Sequence, residues 1–133
     1  MSASDSFGKL ILRLSLGGLV LFHGVAKVTN MNSLKWIGGE LAKYNLPDVI
    51  AYGVYLGEVV GPVLIILGLL TRLGALMIAV NMAAAVALLG MDNLMVINQY
   101  GGWQLELEGI YFFAALALMF MGSGRYAVLP DRR

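Results

Sequence analysis

The chain has 133 residues, enough for one domain, and it is unusually apolar, since 59% of its residues are hydrophobic and 13% are charged. Soluble domains carry about 25% charged residues, so this composition and the mean hydropathy of +0.81 indicate a membrane protein. The net charge of +1 offers no basic face for nucleic acid, and the absence of cysteine excludes disulfide, thiolate and cysteine-ligated metal chemistry within the chain.

The first apolar stretch, residues 9–28, is long enough to cross a bilayer, which requires roughly 20 apolar residues. It nevertheless carries Arg13, His23 and Lys27, although a charged side chain at the centre of a span costs about 2.5–3.5 kcal/mol. Arg13 is predicted to be a structural anchor near one end of the span. A cleaved signal peptide ending near residues 24–26 is the alternative interpretation of this stretch.

A more polar segment, residues 29–47, separates the first two spans. Its apolar side chains recur at helical spacing: Leu34, Ile37, Leu41 and Tyr44. This pattern predicts a short amphipathic helix on the membrane surface, which ends before Pro47.

The second predicted span, residues 49–70, contains Gly53, Gly57 and Gly61 at intervals of four. Small residues at this spacing let a neighbouring helix approach closely, so these three are predicted to be helix-packing positions. Glu58 lies beside them, well inside an otherwise apolar stretch. Either a functional site or a structural ion pair with the first span would account for its presence there.

The third predicted span, residues 73–90, has a similar stripe of small residues in Ala75, Ala79 and Ala83. Asn81 is its strongly polar side chain. Arg72 precedes it in a tight turn and is predicted to be a second anchor.

A polar loop containing Trp103 leads into the fourth predicted span, residues 105–121, which opens with Glu106 and Glu108. The sequence therefore predicts an all-α membrane protein. It forms a single domain over residues 1–133, a four-transmembrane-helix bundle with an interfacial helix between its first two spans.

Four spans place both termini on the same side of the membrane. That side carries six basic residues: Lys9, Arg13, Arg72, Arg125, Arg132 and Arg133. The opposite side carries three: Lys27, Lys35 and Lys43. The positive-inside rule then predicts cytoplasmic termini.

This topology gathers the remaining polar side chains into one pocket near the outer face. Imidazole and carboxylate groups can relay protons, which makes His23 and Glu58 the candidate catalytic residues. The candidate substrate-binding residues are Lys27, Asn81, Trp103, Glu106 and Glu108. A single histidine and carboxylates on separate helices have no spacing diagnostic of a metal, so no metal site is predicted.

Three groups of residues carry a family resemblance over nearly the whole chain. They are Arg13, Gly17, His23, Gly24 and Lys27 in the first span, Glu58, Gly61 and residues 68–72 in the second, and residues 101–103 and 122–126 around the fourth. Their order and spacing resemble the DoxX family of small four-helix bacterial membrane proteins.

The resemblance implies a multi-pass protein of the bacterial inner membrane that is associated with redox systems. One branch of the family is similar to the small subunit of a thiosulfate:quinone oxidoreductase, and others resemble partners in an oxidative-stress complex. A quinone is thus the candidate cofactor. The expected partners are the lipid bilayer, a redox protein and further copies of the chain. The family's recurring positions are Arg13, His23, Gly24, Lys27, Glu58, Gly61 and Arg72, while the matching glutamate of the fourth helix stays open between Glu106 and Glu108.

Two hypotheses of different classes follow. In the first, the chain is a subunit or partner of a quinone-linked oxidoreductase, in which Glu58 and His23 move protons and Lys27 holds the substrate. In the second, the chain is a non-catalytic scaffold whose buried charges fix the helices. A small-solute carrier is a weaker alternative, since the sequence shows no clear inverted repeat.

Overall fold

The computed structural model of the chain describes residues 2–29, 31–47, 53, 56–89 and 95–130. Over these residues the protein is all helical, as predicted, with no strand. The helices are α1 (Ala3–Thr29), α2 (Met31–Ala42), α3 (Gly61–Leu67), α4 (Thr71–Leu89) and α5 (Glu106–Met121). A five-residue π-helical segment, Leu56–Val60, leads directly into α3. The predicted beginning of the second span, residues 49–55, lies outside the described residues except for Gly53.

The helices differ in length and therefore in their capacity to span a bilayer. Among the described residues, one helical stretch, Ala3–Ala26, is long and apolar enough to do so. Gly57–Leu67 and Thr71–Ala87 are shorter apolar stretches. The helix predicted between the first two spans is present as α2.

The connection between α3 and α4 is short because α3 ends on a glycine. Gly68 adopts a left-handed conformation with φ of 77°, and its N–H donates to the carbonyl of Leu64. Glycine takes this conformation without a steric penalty and so commonly terminates helices. The chain then turns within residues 68–70 and begins α4 at Thr71.

Helix α1 runs antiparallel to the segment formed by the π-helical turn and α3. Near its beginning, Arg13 bonds to the carbonyl of Ile65, whereas near its end Gly24 contacts Glu58. Buried apolar side chains from α1, α3, α4 and α5 form the core: Leu16, Val20, Ile65, Ala75, Ile78, Ala79, Met82, Tyr111, Ala115 and Leu118.

Large apolar side chains also cover much of the outer surface. Exposed examples from three helices are Phe22, Val80, Ile110, Phe113 and Phe120. Monomeric soluble proteins rarely expose such extended apolar surface, whereas a lipid-facing surface is expected to be apolar. The fold therefore supports the membrane character indicated by the composition.

Candidate functional site

Glu58 is a buried carboxylate in the π-helical segment, with 7% of its surface exposed. The Nδ2 atom of Asn81 in α4 donates a hydrogen bond of 3.3 Å to its Oε1 atom. A buried carboxylate requires polar partners to offset the loss of water. The structure thus joins two residues that the sequence assigned to one pocket.

Two glycines allow the helices to meet at this point. A Cβ atom at Gly24 in α1 would overlap the main-chain carbonyl of Glu58, and a Cβ atom at Gly57 would overlap the side chain of Asn81. Either position therefore admits only glycine at the observed separation of the helices. Since His23 adjoins Gly24, the turn of α1 that carries His23 lies against the turn that carries Glu58.

The π-helical geometry at Glu58 has a local cause in Pro62. In an α-helix the N–H of residue 62 would donate to the carbonyl of residue 58, but proline has no N–H. The Glu58 carbonyl consequently lacks its usual α-helical donor, and Pro62 lies at the start of the following α-helix, where proline is tolerated. Single π-helical turns within helices are frequent at functional sites.

Tyr111 in α5 is a further member of the site that the sequence reasoning did not single out. Its ring packs edge to face against His23, with the ring centroids 6.0 Å apart and an interplanar angle of 75°. The residue is 7% exposed, and its phenol interacts electrostatically with Glu58 and Glu108. The sequence signal for it was its position three residues after Glu108, which places both on one helix face.

The two glutamates at the start of α5 have different surroundings. Glu108 is half-buried and interacts with Tyr111. Glu106 is exposed and faces the preceding loop, where its Oε1 atom accepts a hydrogen bond of 3.5 Å from Asn98. Glu108 thus shares a helix face with Tyr111, whereas Glu106 is bonded to the preceding loop.

The other two predicted binding residues are Lys27 and Trp103. Lys27 is in the last turns of α1, one turn beyond His23, and its side chain is outside the described part of the structure. Trp103 lies in the loop before α5, with its ring over Gly109.

Arg13 lies at the opposite end of the helices and is 1% exposed. Its guanidinium donates to four main-chain carbonyls, those of Ile65, Ile66, Ser123 and Tyr126, over distances of 2.7–3.2 Å. It thereby ties α1 both to the end of α3 and to the segment after α5. Arg72 is exposed in the first turn of α4.

The predicted helix-packing residues fall into two groups. Gly57, Gly61, Ala75 and Ala79 are buried at helix contacts. A Cβ atom at Gly53 would meet no other atom within 4 Å among the described residues, and Ala83 is exposed. The predicted packing positions that are buried thus lie within two turns of Glu58 or Asn81.

The site combines a carboxylate from the π-helical segment, a carboxamide from α4, a phenol from α5 and an imidazole from α1. Each of these groups can hold or pass a proton, or donate a hydrogen bond to a carbonyl oxygen. The described residues contain no group of three or more histidine, aspartate or glutamate side chains arranged to hold a metal ion.

Comparisons with known proteins agree with the family resemblance. The family model described as DoxX matches residues 8–91, which is more than half of the chain. An uncharacterized protein of Haemophilus influenzae (strain Rd) is 34% identical over 120 residues, covering 88% of this chain and 84% of its own length. The Bacillus subtilis (strain 168) protein named "Putative oxidoreductase CatD" is 30% identical over 86 residues, covering 65% of this chain and 62% of CatD. No solved structure matches the chain.

Proposed function

This chain belongs to the DoxX family, and from that premise we propose that it is a multi-pass subunit or partner of a quinone-linked redox system in a bacterial inner membrane. The name of CatD supports the redox assignment. Four spans are proposed, formed by α1, by the segment ending in α3, by α4 and by α5. Both termini would be cytoplasmic, because Lys9, Arg72 and Arg125 lie at the end opposite Glu58.

One observation carries the proposed site: buried Glu58 is bonded to Asn81 at the point where Gly24 brings α1 into contact with it. A carboxylate inside an apolar bundle is costly and is by default a functional-site candidate. His23 and Tyr111 pack together beside it and add N–H and O–H donors.

These residues fit a quinone headgroup, whose two carbonyl oxygens accept hydrogen bonds. The side chain of His23 is exposed next to the strongly exposed Phe22, so a lipid-soluble molecule could reach it from the bilayer. When bound, a quinone supplies an acceptor for two electrons and two protons. His23 would donate a hydrogen bond to a carbonyl oxygen, and Glu58 in its protonated form would deliver one of the two protons.

The remaining residues have supporting roles in this proposal. Tyr111 would keep the His23 ring in place through its edge contact. Lys27 would bind the second carbonyl oxygen of the quinone. The two electrons would come from the proposed redox partner protein, and the second proton would come from water.

A binding experiment with matched glutamate variants tests the proposal. Purified protein in detergent is heated with menadione or a short-chain ubiquinone as the probe. At a hundredfold excess over Kd we expect stabilisation by about 2.7 kcal/mol. Glu58→Gln and Glu108→Gln should reduce the response, whereas Glu40→Gln on α2 and Glu106→Gln in the loop contact should retain it. No response to either quinone would contradict the proposal.

A non-catalytic scaffold is the second candidate function, and the same contacts favour it. The Glu58–Asn81 bond and the Gly24 contact tie α1, the π-helical segment and α4 together. In that case Glu58→Gln would lower the unfolding temperature and quinones would not change it in the wild-type protein.

A further inference from the structure

The loop before α5, residues 95–105, has a defined backbone conformation. Ile97 and Trp103 form an antiparallel bridge, Asn98 N–H donates to the carbonyl of Gly102 at 2.7 Å, and Gln104 N–H donates to the carbonyl of Val96 at 2.8 Å. The side-chain oxygen of Asn98 accepts from the N–H groups of Tyr100 and Gly102. Much of the polar backbone of this loop is therefore satisfied without water.

The outward face of this bridged loop is apolar and uncharged. Met95 is 90% exposed and Tyr100 is 86% exposed, and Ile97 projects outward beside them. Residues 95–105 contain no aspartate, glutamate, lysine or arginine. An open groove in this loop is lined by Met95, Ile97, Gly101 and Trp103.

The bridged loop is fastened to the beginning of α5. The Trp103 ring lies over Gly109, and the Asn98 side chain donates to Glu106. The start of α5 also exposes apolar side chains, those of Leu107 and Ile110. The loop is thus held against a helix whose exposed side chains include large apolar ones.

We propose that this bridged loop is an interfacial membrane anchor, in which Met95, Ile97 and Tyr100 contact lipid at the boundary between headgroups and acyl chains. Three observations favour lipid as the occupant over a protein partner. The backbone is internally bonded, which lowers the cost of leaving water. The face has no charge to steer a partner. Tyrosine and tryptophan are the side chains enriched at this depth of a bilayer.

The chain provides its own reporter of depth, since it has two tryptophans. In a Trp36→Phe variant Trp103 is the remaining tryptophan, so the tryptophan fluorescence reports on the bridged loop alone. The protein is reconstituted into phosphatidylcholine vesicles with bromine near either the headgroup end or the methyl end of the acyl chain. We expect quenching about twofold stronger from the shallow label, with weak quenching by iodide.

Two loop variants form a matched pair. Ile97→Asp places a charge on the apolar face and should roughly double the quenching of Trp103 by acrylamide, a neutral aqueous quencher that the new carboxylate does not repel. Gln99→Asp adds the same charge at an exposed polar position of the loop and should leave the quenching unchanged. A dye on Tyr100→Cys, the only cysteine in such a variant, gives a second reading of depth that does not depend on Trp103.

Two results would overturn this inference. Full access to iodide without quenching by either bromolipid would place the loop in water. If Trp103 is protected from iodide and from the bromolipids, and this protection increases with the protein-to-lipid ratio, a second copy of the chain covers the loop. The test depends on the membrane location only, so a failure of quinone binding leaves its result unaffected.

Discussion

Gly24 in α1 lies directly against the main-chain carbonyl of Glu58, so that no side chain fits between the two backbones. This contact determines the separation of α1 from the π-helical segment. It also brings the turn of α1 that carries His23 to the same depth as the buried carboxylate.

Gly24→Ala should therefore destabilise the protein. The added methyl overlaps main-chain atoms that cannot rotate away, and overpacking of this kind costs about 1–3 kcal/mol. Thermal unfolding in detergent measures the effect. Gly18→Ala is the control in the same helix, since a Cβ atom at Gly18 meets no other atom within 4 Å. Equal destabilisation by both variants would contradict the role of the Gly24 contact.

Glu58 and Asn81 should be energetically coupled. Their hydrogen bond involves a buried carboxylate, and hydrogen bonds to charged groups contribute about 1.5–3 kcal/mol. A double-mutant cycle with Glu58→Gln and Asn81→Ala measures this coupling through unfolding free energies. The surface pair Glu40 and Lys43, 3.0 Å apart on α2 and the following turn, is the comparison and should give about 0.5 kcal/mol or less. A coupling between Glu58 and Asn81 no larger than that would argue against their hydrogen bond.

Arg13→Lys should be strongly destabilising although it preserves the charge. A lysine ammonium cannot reproduce the planar fork that bonds to carbonyls at the end of α3 and in the segment after α5. Each lost hydrogen bond to a buried charged group costs about 1.5–3 kcal/mol. The unfolding temperature should fall, and a protease should cleave the segment after α5 more rapidly. Arg72→Lys, at an exposed position, is the control and should change stability little. An equally mild effect of Arg13→Lys would contradict the role of its hydrogen bonds to the main-chain carbonyls.

The proposed topology predicts opposite accessibility for the two ends of the helices. Since the chain has no cysteine, single substitutions can be labelled without a background signal. A membrane-impermeant maleimide applied to spheroplasts should label Gln99→Cys in the bridged loop. It should label Ser4→Cys only after the membrane is permeabilised. Labelling of both positions in intact spheroplasts would exclude cytoplasmic termini.

The sequence by itself determined the all-helical fold, the membrane character and the DoxX family. These properties depend on composition, on apolar runs and on motif order, which belong to each segment independently of its neighbours. The positions of the polar residues along the chain already suggested that His23, Glu58 and Asn81 belong together.

Tertiary structure alone decided which side chains meet, because this depends on the rotation and depth of each helix relative to the next. The π-helical turn at Leu56–Val60 holds more residues than an α-helical turn, so it rotates the directions in which its side chains point. A regular α-helical period therefore does not predict the contacts of Glu58. Tyr111 joins the site across α1 and α5, and Glu108 rather than Glu106 shares a helix face with it. Arg13, which the sequence allowed to reach toward headgroups, instead turns inward because main-chain carbonyls at the end of α3 and beyond α5 offer it hydrogen bonds.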